Sequence, residues 1–300
     1  MSPIVRARII ASAACCCLLG LASQASATGP VAPTRVVYPS AKEADDERGD
    51  YYVSLLKLAL SKADGAFEVR PSRDASVNLR VFARMAAGEG IDVVWAPAAR
   101  SLEHDYRRIA VPLDKGILGW RLLLINANDR ARFASIQSLD QLKALQAGQV
   151  SEWVDTEILQ DNGLPVVGAT RYESLFGMLA AHRFSYLPRG VAEIEGEARN
   201  NAKLGLIIEP HLALHYPMCV YFFVARDNKL LADSIEQGLH RAMKDGSFEK
   251  LFQQANGPAL KAANIGRRRV FELRNLTLPA DTLVDDAACL NAPLVPRSRH

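Results

Sequence analysis

The chain has 300 residues, of which 49% are hydrophobic and 23% charged, so it can bury a large core, and its length favours two domains. The formal net charge of +3 falls to about +1 without the first 27 residues, which hold Arg6 and Arg8 and no acid. Basic residues cluster only at Arg267–Arg269 and near the C-terminus, without interleaved aromatics. We therefore expect no nucleic-acid partner.

The N-terminal stretch has the pattern of a secretory signal. Arg6 and Arg8 precede the apolar run Ile9–Ala22, and the small residues Ala25-Ser26-Ala27 follow it. This order predicts cleavage after Ala27 and a mature protein exported to the periplasm. No later stretch reaches the ~20 apolar residues that a membrane-spanning helix needs.

The five cysteines fall into two groups. Cys15–Cys17 lie in the signal, where a lipid anchor is an alternative, but the preceding Ser12–Ala14 lacks the leucine-like residue of a lipoprotein signal. Cleavage after Ala27 leaves Cys219 and Cys289. In an oxidising compartment these two either form a disulfide that ties the tail to the body or remain separate thiols.

The first third of the mature chain alternates strands and helices with short links. The apolar periodicity predicts strand Arg35–Tyr38, helix Tyr51–Lys62, strand Phe67–Arg70, helix Val77–Ala87 and strand Ile91–Trp95. This βαβαβ order favours a parallel sheet flanked by helices.

A crossover between two lobes is predicted at Ile109–Asn126, an extended run that ends in the apolar strand Trp120–Ile125. A second apolar strand, Met218–Ala225, follows about a hundred residues later. The chain thus leaves one domain, builds another and returns, which predicts a two-lobed α/β fold with two hinge crossovers. The expected boundaries are a signal at 1–27, lobe 1 at 34–115 and 217–257, lobe 2 at 116–216, and a C-terminal extension at 258–300.

The second lobe repeats the alternation of helices and strands. The predicted elements are helix Ser138–Ala147, a helix ending at Gln160, strand Pro165–Val167, helix Tyr172–Ala181, strand Phe184–Leu187, helix Val191–Ala198 and strand Leu204–Ile208. Helices Leu230–Lys244 and Ser247–Gln254 then complete the first lobe, and residues 259–300 are expected to wrap the surface.

Several motifs in this order resemble a known family. They are RVVYPS at 35–40, RMAAGEGIDVVWAP at 84–97, RRIAVPLDKGILG at 107–119, SLDQLKAL at 138–145, ESLFGMLAAHRFSYLPRG at 173–190, and FFVARDN followed by SIEQGLHRAMKDGSFEKLF at 222–252. Together they resemble the bacterial extracellular solute-binding proteins of family three, the periplasmic amino-acid-binding type with the type 2 periplasmic binding fold, over roughly Arg35–Gly257. The resemblance implies a monomer that binds a small molecule and hands it to an ABC permease or a membrane sensor.

The chain departs from this family at two ligand positions. The usual Gly-Thr pair is missing from Ala147–Trp153, which reads AGQVSEW. The usual Asp that holds the ligand ammonium is replaced by Pro188-Arg189-Gly190, and an arginine cannot bind an ammonium group. These departures argue against an α-amino-acid ligand and predict a small polar, anionic one.

Ligands of such folds lie beyond the carboxyl ends of the strands, so the loops after the strands supply the candidate residues. These are Tyr38, Ser40, Ser72, Arg73, Trp95, Pro97 and Arg100 in lobe 1, and Glu152, Trp153, Arg171, Tyr172 and Arg189 in lobe 2.

Two arginines carry the anionic prediction. The resemblance implies that Arg100 matches the family's carboxylate-binding arginine, whose planar fork holds both oxygens; the alternative is a solvated arginine at a helix start. Arg189 is either a second cationic contact or half of an ion pair across the cleft between the lobes, with Glu193, Glu195 or Glu197.

Neither a cofactor nor a metal is expected. There is no Gly-rich phosphate loop, no Gly-x-Ser-x-Gly elbow and no CxxC motif. His211 and His215 have helical spacing, but Pro210 and Pro217 bracket them in a predicted loop without matching Cys or carboxylate ligands.

Two alternatives to simple solute binding stay open. A few proteins of this fold are periplasmic cyclohexadienyl dehydratases, in which case Glu173 or Glu193 would serve as the general acid. The other alternative is a ligand-free sensory or scaffold module, which would also explain the missing ligand motifs.

Overall fold

The computed structural model describes residues 32–40, 47–73 and 80–278. The predicted signal, the lipid-anchor alternative, Cys289 and the start of the predicted helix at Val77 lie outside these residues. The strands are β1 Thr34–Tyr38, β2 Phe67–Pro71, β3 Val93–Pro97, β4 Tyr106–Arg108, β5 Trp120–Asn126, β6 Ala147–Val150, β7 Val166–Ala169, β8 Tyr186–Gly190, β9 Leu206–His215, β10 Val220–Ala225 and β11 Arg269–Glu272. The helices are α1 Asp50–Lys62, α2 Arg80–Ala86, α3 Arg100–Asp105, α4 Arg130–Ala134, α5 Leu139–Lys143, α6 Val154–Asp161, α7 Tyr172–Ala180, α8 Ile194–Asn200, α9 Lys229–Lys244 and α10 Ser247–Ala263.

We call lobe 1 the part built on β1–β4 and β10. The first two strands, β1 and β2, pair in parallel as predicted. β10 lies antiparallel between β3 and β4, which brings the returning chain into this lobe. The Asp92 amide donates to the Val37 carbonyl at 2.8 Å, so β3 begins beside β1. Lobe 1 therefore has two small sheets, β1-β2 and β3-β10-β4. α1 and α9 cover both, because Leu55, Leu56 and Ala59 of one helix and Ile235 and Leu239 of the other share a buried core with these strands.

We call lobe 2 the part built on the six-stranded sheet, ordered β11-β9-β5-β8-β6-β7. β5, the apolar strand predicted from the sequence, is buried along its whole length and runs antiparallel to both β8 and β9. Apolar side chains cover both faces of the sheet in two separate clusters. Each face of the sheet thus has its own hydrophobic core.

The two crossovers lie against each other, as a hinge requires. The Tyr216 amide donates to the Gly119 carbonyl at 3.2 Å. A Cβ at Gly119 would lie 2.0 Å from the Tyr216 carbonyl oxygen, so only glycine permits this approach. Asp114 in the first crossover also accepts from the Val220 amide at 3.2 Å. The α/β fold with two lobes and two crossovers is therefore confirmed; the predicted boundaries stay a prediction.

The C-terminal region differs from the predicted surface extension. α10 continues to Ala263, past Gly257 and Pro258, because its side chains Phe252 and Ala263 both pack into the core of lobe 2. β11 then joins the edge of the lobe 2 sheet, parallel to β9. The residues after β11 return to lobe 1, where Leu278 is buried beside Tyr221 and Phe223. This region connects the two lobes in addition to the crossovers.

Three element predictions in lobe 2 need correction. The predicted helix 138–147 is shorter: Ser138 caps it as expected, accepting from the Gln141 amide at 3.3 Å, but Ala147 already begins β6. β8 extends to Gly190, because Arg189 and Pro188 pair with Leu122 and Leu123 of β5.

The third correction concerns β9, which runs to His215, so His211 and His215 lie on a strand and not in a loop. Within the described ranges, no helix combines the length and apolar character needed to cross a membrane.

Candidate functional site

An open cavity of about 1190 Å³ lies where the lobes face each other. Lobe 1 contributes the turn before α1, the first residues of α1 and the first crossover, and the second half of α10 adds another wall. Lobe 2 contributes the N-terminal ends of α6 and α7 and one face of α8. Small-molecule sites favour such interdomain clefts, so this cavity is the candidate site.

Aromatic side chains form much of the cavity wall. Trp153 and Tyr172 lie with ring centroids 6.1 Å apart, and Phe176 meets Tyr172 edge to face at 5.2 Å. Tyr51 and Tyr52 from α1 line the opposite side. The Tyr51 hydroxyl donates to the Leu113 carbonyl at 2.6 Å, which fixes α1 against the first crossover. The cavity thus offers flat apolar faces beside polar groups.

Arg189 lies behind this aromatic wall and is only 2% exposed. Its Nε donates to Glu197 Oε2 at 2.7 Å, and its Nη2 donates to Glu197 Oε1 at 2.6 Å. A second carboxylate, Glu193, lies 3.1 Å from Nη2. The guanidinium also lies 4.9 Å from the Trp153 ring centroid. Arg189 thus forms the predicted kind of contact, an ion pair, and its fork is already occupied. The pair lies within lobe 2 and not between the lobes as predicted, because both carboxylates belong to the same lobe as Arg189.

A second buried arginine extends the network toward the hinge. Arg121 on β5 is 2% exposed; its Nη2 lies 2.7 Å from Asp155 Oδ1, and its Nε donates to the Tyr216 hydroxyl at 2.9 Å. The same hydroxyl donates to Asp155 at 2.5 Å. Glu193, 3.7 Å from Arg121 Nη1, joins the two arginines. One polar network therefore links the cavity wall to the second crossover.

Glu193 has the wrong electrostatics for a general acid. Burial alone would raise the pKa of its carboxyl, but Arg189, Arg121 and Arg48 outweigh it and hold that pKa below its ordinary value. Its Oε2 also accepts from the Gly190 amide at 3.0 Å. A general acid needs a raised pKa, whereas this carboxylate is held ionised.

Asp114 is a buried carboxyl at the base of the cavity, 1% exposed. Burial raises its pKa to about 6, against backbone amides that stabilise the ionised form. Those amides include Gly116 at 3.2 Å and Leu118 at 3.1 Å in its own crossover, and Val220 in the other. Its carboxyl oxygens therefore join the two crossovers through hydrogen bonds.

The lobe 1 candidates form a cluster beside the cavity. Trp95 stacks on Tyr52 with centroids 5.7 Å apart, and Tyr38 lies 6.2 Å from Trp95 on a tilt. The Ser40 amide donates to Ser72 Oγ at 3.1 Å. Of this cluster only Tyr52, which was not among the predicted site residues, lines the cavity. The Arg73 side chain is exposed, and neither Arg73 nor Pro97 lines the cavity.

Arg100 lies away from the cavity. Its Nη2 donates to the Leu276 carbonyl at 2.7 Å, and its amide donates to the Thr277 carbonyl at 3.3 Å. It therefore anchors the C-terminal segment on lobe 1. The carboxylate-binding role implied by the resemblance has no support from this position.

In lobe 2 the structure brings Trp153, Arg171 and Tyr172 into the cavity wall, while Glu152 is exposed outside it. Sequence reasoning missed Arg48, which lines the cavity from lobe 1, and the buried Arg121. A signal for Arg121 was present, because a lone charge in an otherwise apolar strand must find a partner. Arg48 gave no such signal.

The histidines fit a structural role. His215 stacks on Trp120 with centroids 4.1 Å apart, and its Nδ1 lies 2.6 Å from Glu272 on β11. Across the described residues, no group of three or more His, Cys, Asp or Glu side chains is placed to hold a metal ion. Cys219 is buried and disulfide-bonded, which rules out the free-thiol alternative for it; the predicted partner Cys289 lies outside the described residues.

Comparison with solved structures places this fold among the type 2 periplasmic binding proteins. An ancestral arginine-binding protein bound to arginine matches with a TM-score of 0.56 and 18% identity, over 76% of this chain and 99% of that one. The amino acid ABC transporter substrate-binding protein AbpA from Streptococcus pneumoniae, bound to L-arginine, matches with a TM-score of 0.53 and 15% identity, over 76% of this chain and 95% of that one.

A histidine kinase sensor domain similar to periplasmic binding proteins matches with a TM-score of 0.54 and 15% identity, over 75% of this chain and 96% of that one. No sequence-family model and no curated protein matches the chain. At these identities the likeness establishes the fold and not the ligand.

Proposed function

We propose that this protein is an exported solute-binding protein that holds one small polar molecule in the interlobe cavity, for ABC-type uptake or for sensing. The observation that carries the proposal is the cavity itself, which lies against the first crossover and combines aromatic faces with charged side chains. The similar structures include both transporter binding proteins and a sensor domain, which supports either partner.

Rotation about the crossovers would bring the two walls together on the solute. Closure excludes water, which strengthens each polar contact without any chemistry. The C-terminal region, which packs on both lobes, would restrain the size of this rotation. We therefore expect a small closure.

The anionic solute predicted from the sequence would need a guanidinium group that reaches the cavity. Arg100 is outside it and Arg189 is already paired, so Arg171, Arg199 and Arg48 are the remaining candidates. Six carboxyl groups share the wall with these three arginines: Asp50, Asp114, Glu173, Glu193, Glu195 and Glu197. An anion at this site stays a prediction, and the balance of charge disfavours it.

A thermal-shift screen of residues 28–300 tests the proposal. The panel holds the common amino acids, dicarboxylates and cyclohexadienyl acids, with turnover followed in parallel by chromatography. A solute at a hundredfold excess over its Kd should stabilise the protein by about 2.7 kcal/mol, without turnover. Turnover would indicate an enzyme. No stabilisation by any compound of the panel would favour the ligand-free module.

A pair of variants tests whether a stabilising solute binds in the interlobe cavity. Trp153→Ala removes one aromatic face of the cavity and should weaken any stabilising solute by at least about tenfold. Leu230→Ala, on an exposed residue at the start of α9, should leave binding unchanged. Equal binding by Trp153→Ala and the unaltered protein would place the solute elsewhere.

A further inference from the structure

One arginine reaches across the cavity from lobe 1 to lobe 2. Arg48 lies in the turn Glu47–Gly49 before α1, and its guanidinium carbon lies 4.0 Å from the ring centroid of Tyr172, the first residue of α7. This is close cation–π contact. The same charge helps to hold the pKa of Glu193 low. The chain has thus placed its own guanidinium group on the wall of its candidate site.

The surroundings of Tyr172 suit such a group. Its hydroxyl donates to Glu197 at 2.8 Å, which fixes the ring against α8. Phe176 braces the ring from the side. Burial raises the pKa of the Tyr172 hydroxyl, so the phenol stays neutral and its ring keeps the negative face that attracts cations. The position is therefore a rigid platform for a planar cation.

The charge of the cavity wall points the same way. Six carboxyl groups face three arginines, and even with the buried Arg121, Arg189 and Asp155 counted, the acids outnumber the bases. In the part of the chain that the structure describes, Glu173 and Glu195 take part in no ion pair. A cavity with excess negative charge raises the local concentration of cations.

We propose that the solute carries a planar cationic head, a guanidinium group, that lies on Tyr172, and that Arg48 is a built-in occupant which this head displaces. The inference rests on the proposed function and adds the chemical class of the solute. Arg48 then acts as an internal competitor. It lowers the affinity for every cationic solute, so the solutes that bind are those whose remaining atoms fill the rest of the cavity.

Paired probes test the class of solute. L-arginine, L-citrulline and L-glutamate share the same α-ammonium and α-carboxylate groups. Arginine and citrulline have nearly the same shape and differ in the charge of the side-chain end group, and glutamate has an anionic side chain. We expect arginine to stabilise the protein at concentrations at least about tenfold below citrulline, and glutamate to have no effect. Equal binding of arginine and citrulline, or tighter binding of glutamate, would overturn the cationic head.

Substitution of Arg48 tests the competition. Arg48→Ala removes an exposed side chain and should raise the affinity for L-arginine about two- to fivefold. This is the factor that a single exposed cation–π contact supports. Arg130→Ala makes the same charge change on an exposed residue that does not line the cavity, and should leave the affinity unchanged. Weaker or unchanged arginine binding by Arg48→Ala would overturn the role of Arg48 as a competitor.

The outcomes also separate this inference from the proposal beneath it. If another solute of the wider panel stabilises the protein while arginine does not, the solute-binding function stands and the cationic head is wrong. If no solute binds either the unaltered protein or Arg48→Ala, the solute-binding function itself fails.

Discussion

Loss of Glu197 should destabilise the protein strongly, because it would leave Arg189 buried with half of its partners. Glu197→Leu removes contacts of 2.6 and 2.7 Å to a guanidinium that is 2% exposed, and it also removes the acceptor of the Tyr172 hydroxyl. Breaking a buried pair from one side costs about 3–5 kcal/mol. Since Glu193 remains 3.1 Å from Arg189, we expect the lower part of that range.

The double variant Arg189→Met/Glu197→Leu measures the interaction energy between the two side chains. Arg189→Met alone leaves Glu197 buried without its cation, and should also cost about 3 kcal/mol or more. Removing both charges restores an apolar filling, so the double variant should be less destabilised than the sum of the singles by at least about 2 kcal/mol.

Urea denaturation followed by circular dichroism gives these free energies, since urea is uncharged and does not screen ion pairs. Asp64→Asn, which breaks the exposed pair with Arg241, is the control and should leave the midpoint nearly unchanged. Additive single effects, or a Glu197→Leu variant as stable as the parent, would refute the reasoning.

Three further predictions concern the hinge. Asp114 binds its proton more tightly in the folded state, with a pKa of about 6 against an ordinary 3.8. Acidification from pH 7 to pH 4 should therefore increase stability by on the order of 2 kcal/mol relative to Asp114→Asn, as measured by urea midpoints across pH. Parallel profiles of the two proteins would contradict this. Gly119→Ala should cost at least about 2 kcal/mol in the same assay, because its Cβ meets the Tyr216 carbonyl, whereas Gly177→Ala, in open space on α7, should stabilise by about 0.5–1 kcal/mol; equal effects would show that the crossovers can separate freely. Reduction of the Cys219 disulfide should lower the free energy of unfolding by about 2–5 kcal/mol in denaturation with and without reductant, and a stability unaffected by reductant would remove the disulfide from the account.

The sequence predicts the architecture well because its signals are local. The apolar run of β5 and the periodicity of α1 and α9 each specify an element within a few turns of chain. The boundaries of β8 and α10 were missed, because Pro188 and Pro258 are ordinary stop signals that tertiary packing overrides here.

The site was only partly predictable. Trp153 and Tyr172 follow from the rule that ligands lie beyond strand ends, but the partners of Arg121 do not, since Tyr216 is 95 residues away in sequence. The resemblance implied a ligand role for Arg100, but its side chain donates to a carbonyl of the C-terminal segment, for which the sequence predicted no defined place. Side-chain direction depends on neighbours that no local pattern specifies.

Hydrogen–deuterium exchange with and without a stabilising solute tests the central claim most directly. If the solute occupies the interlobe cavity, exchange of the backbone amides should slow in three segments: residues 48–52, the start of α7, and residues 193–199 at α8. Exchange in α4 and α9, whose residues do not line the cavity, should stay the same. Protection confined to surfaces outside these three segments, or no protection at a saturating concentration of solute, would contradict the account.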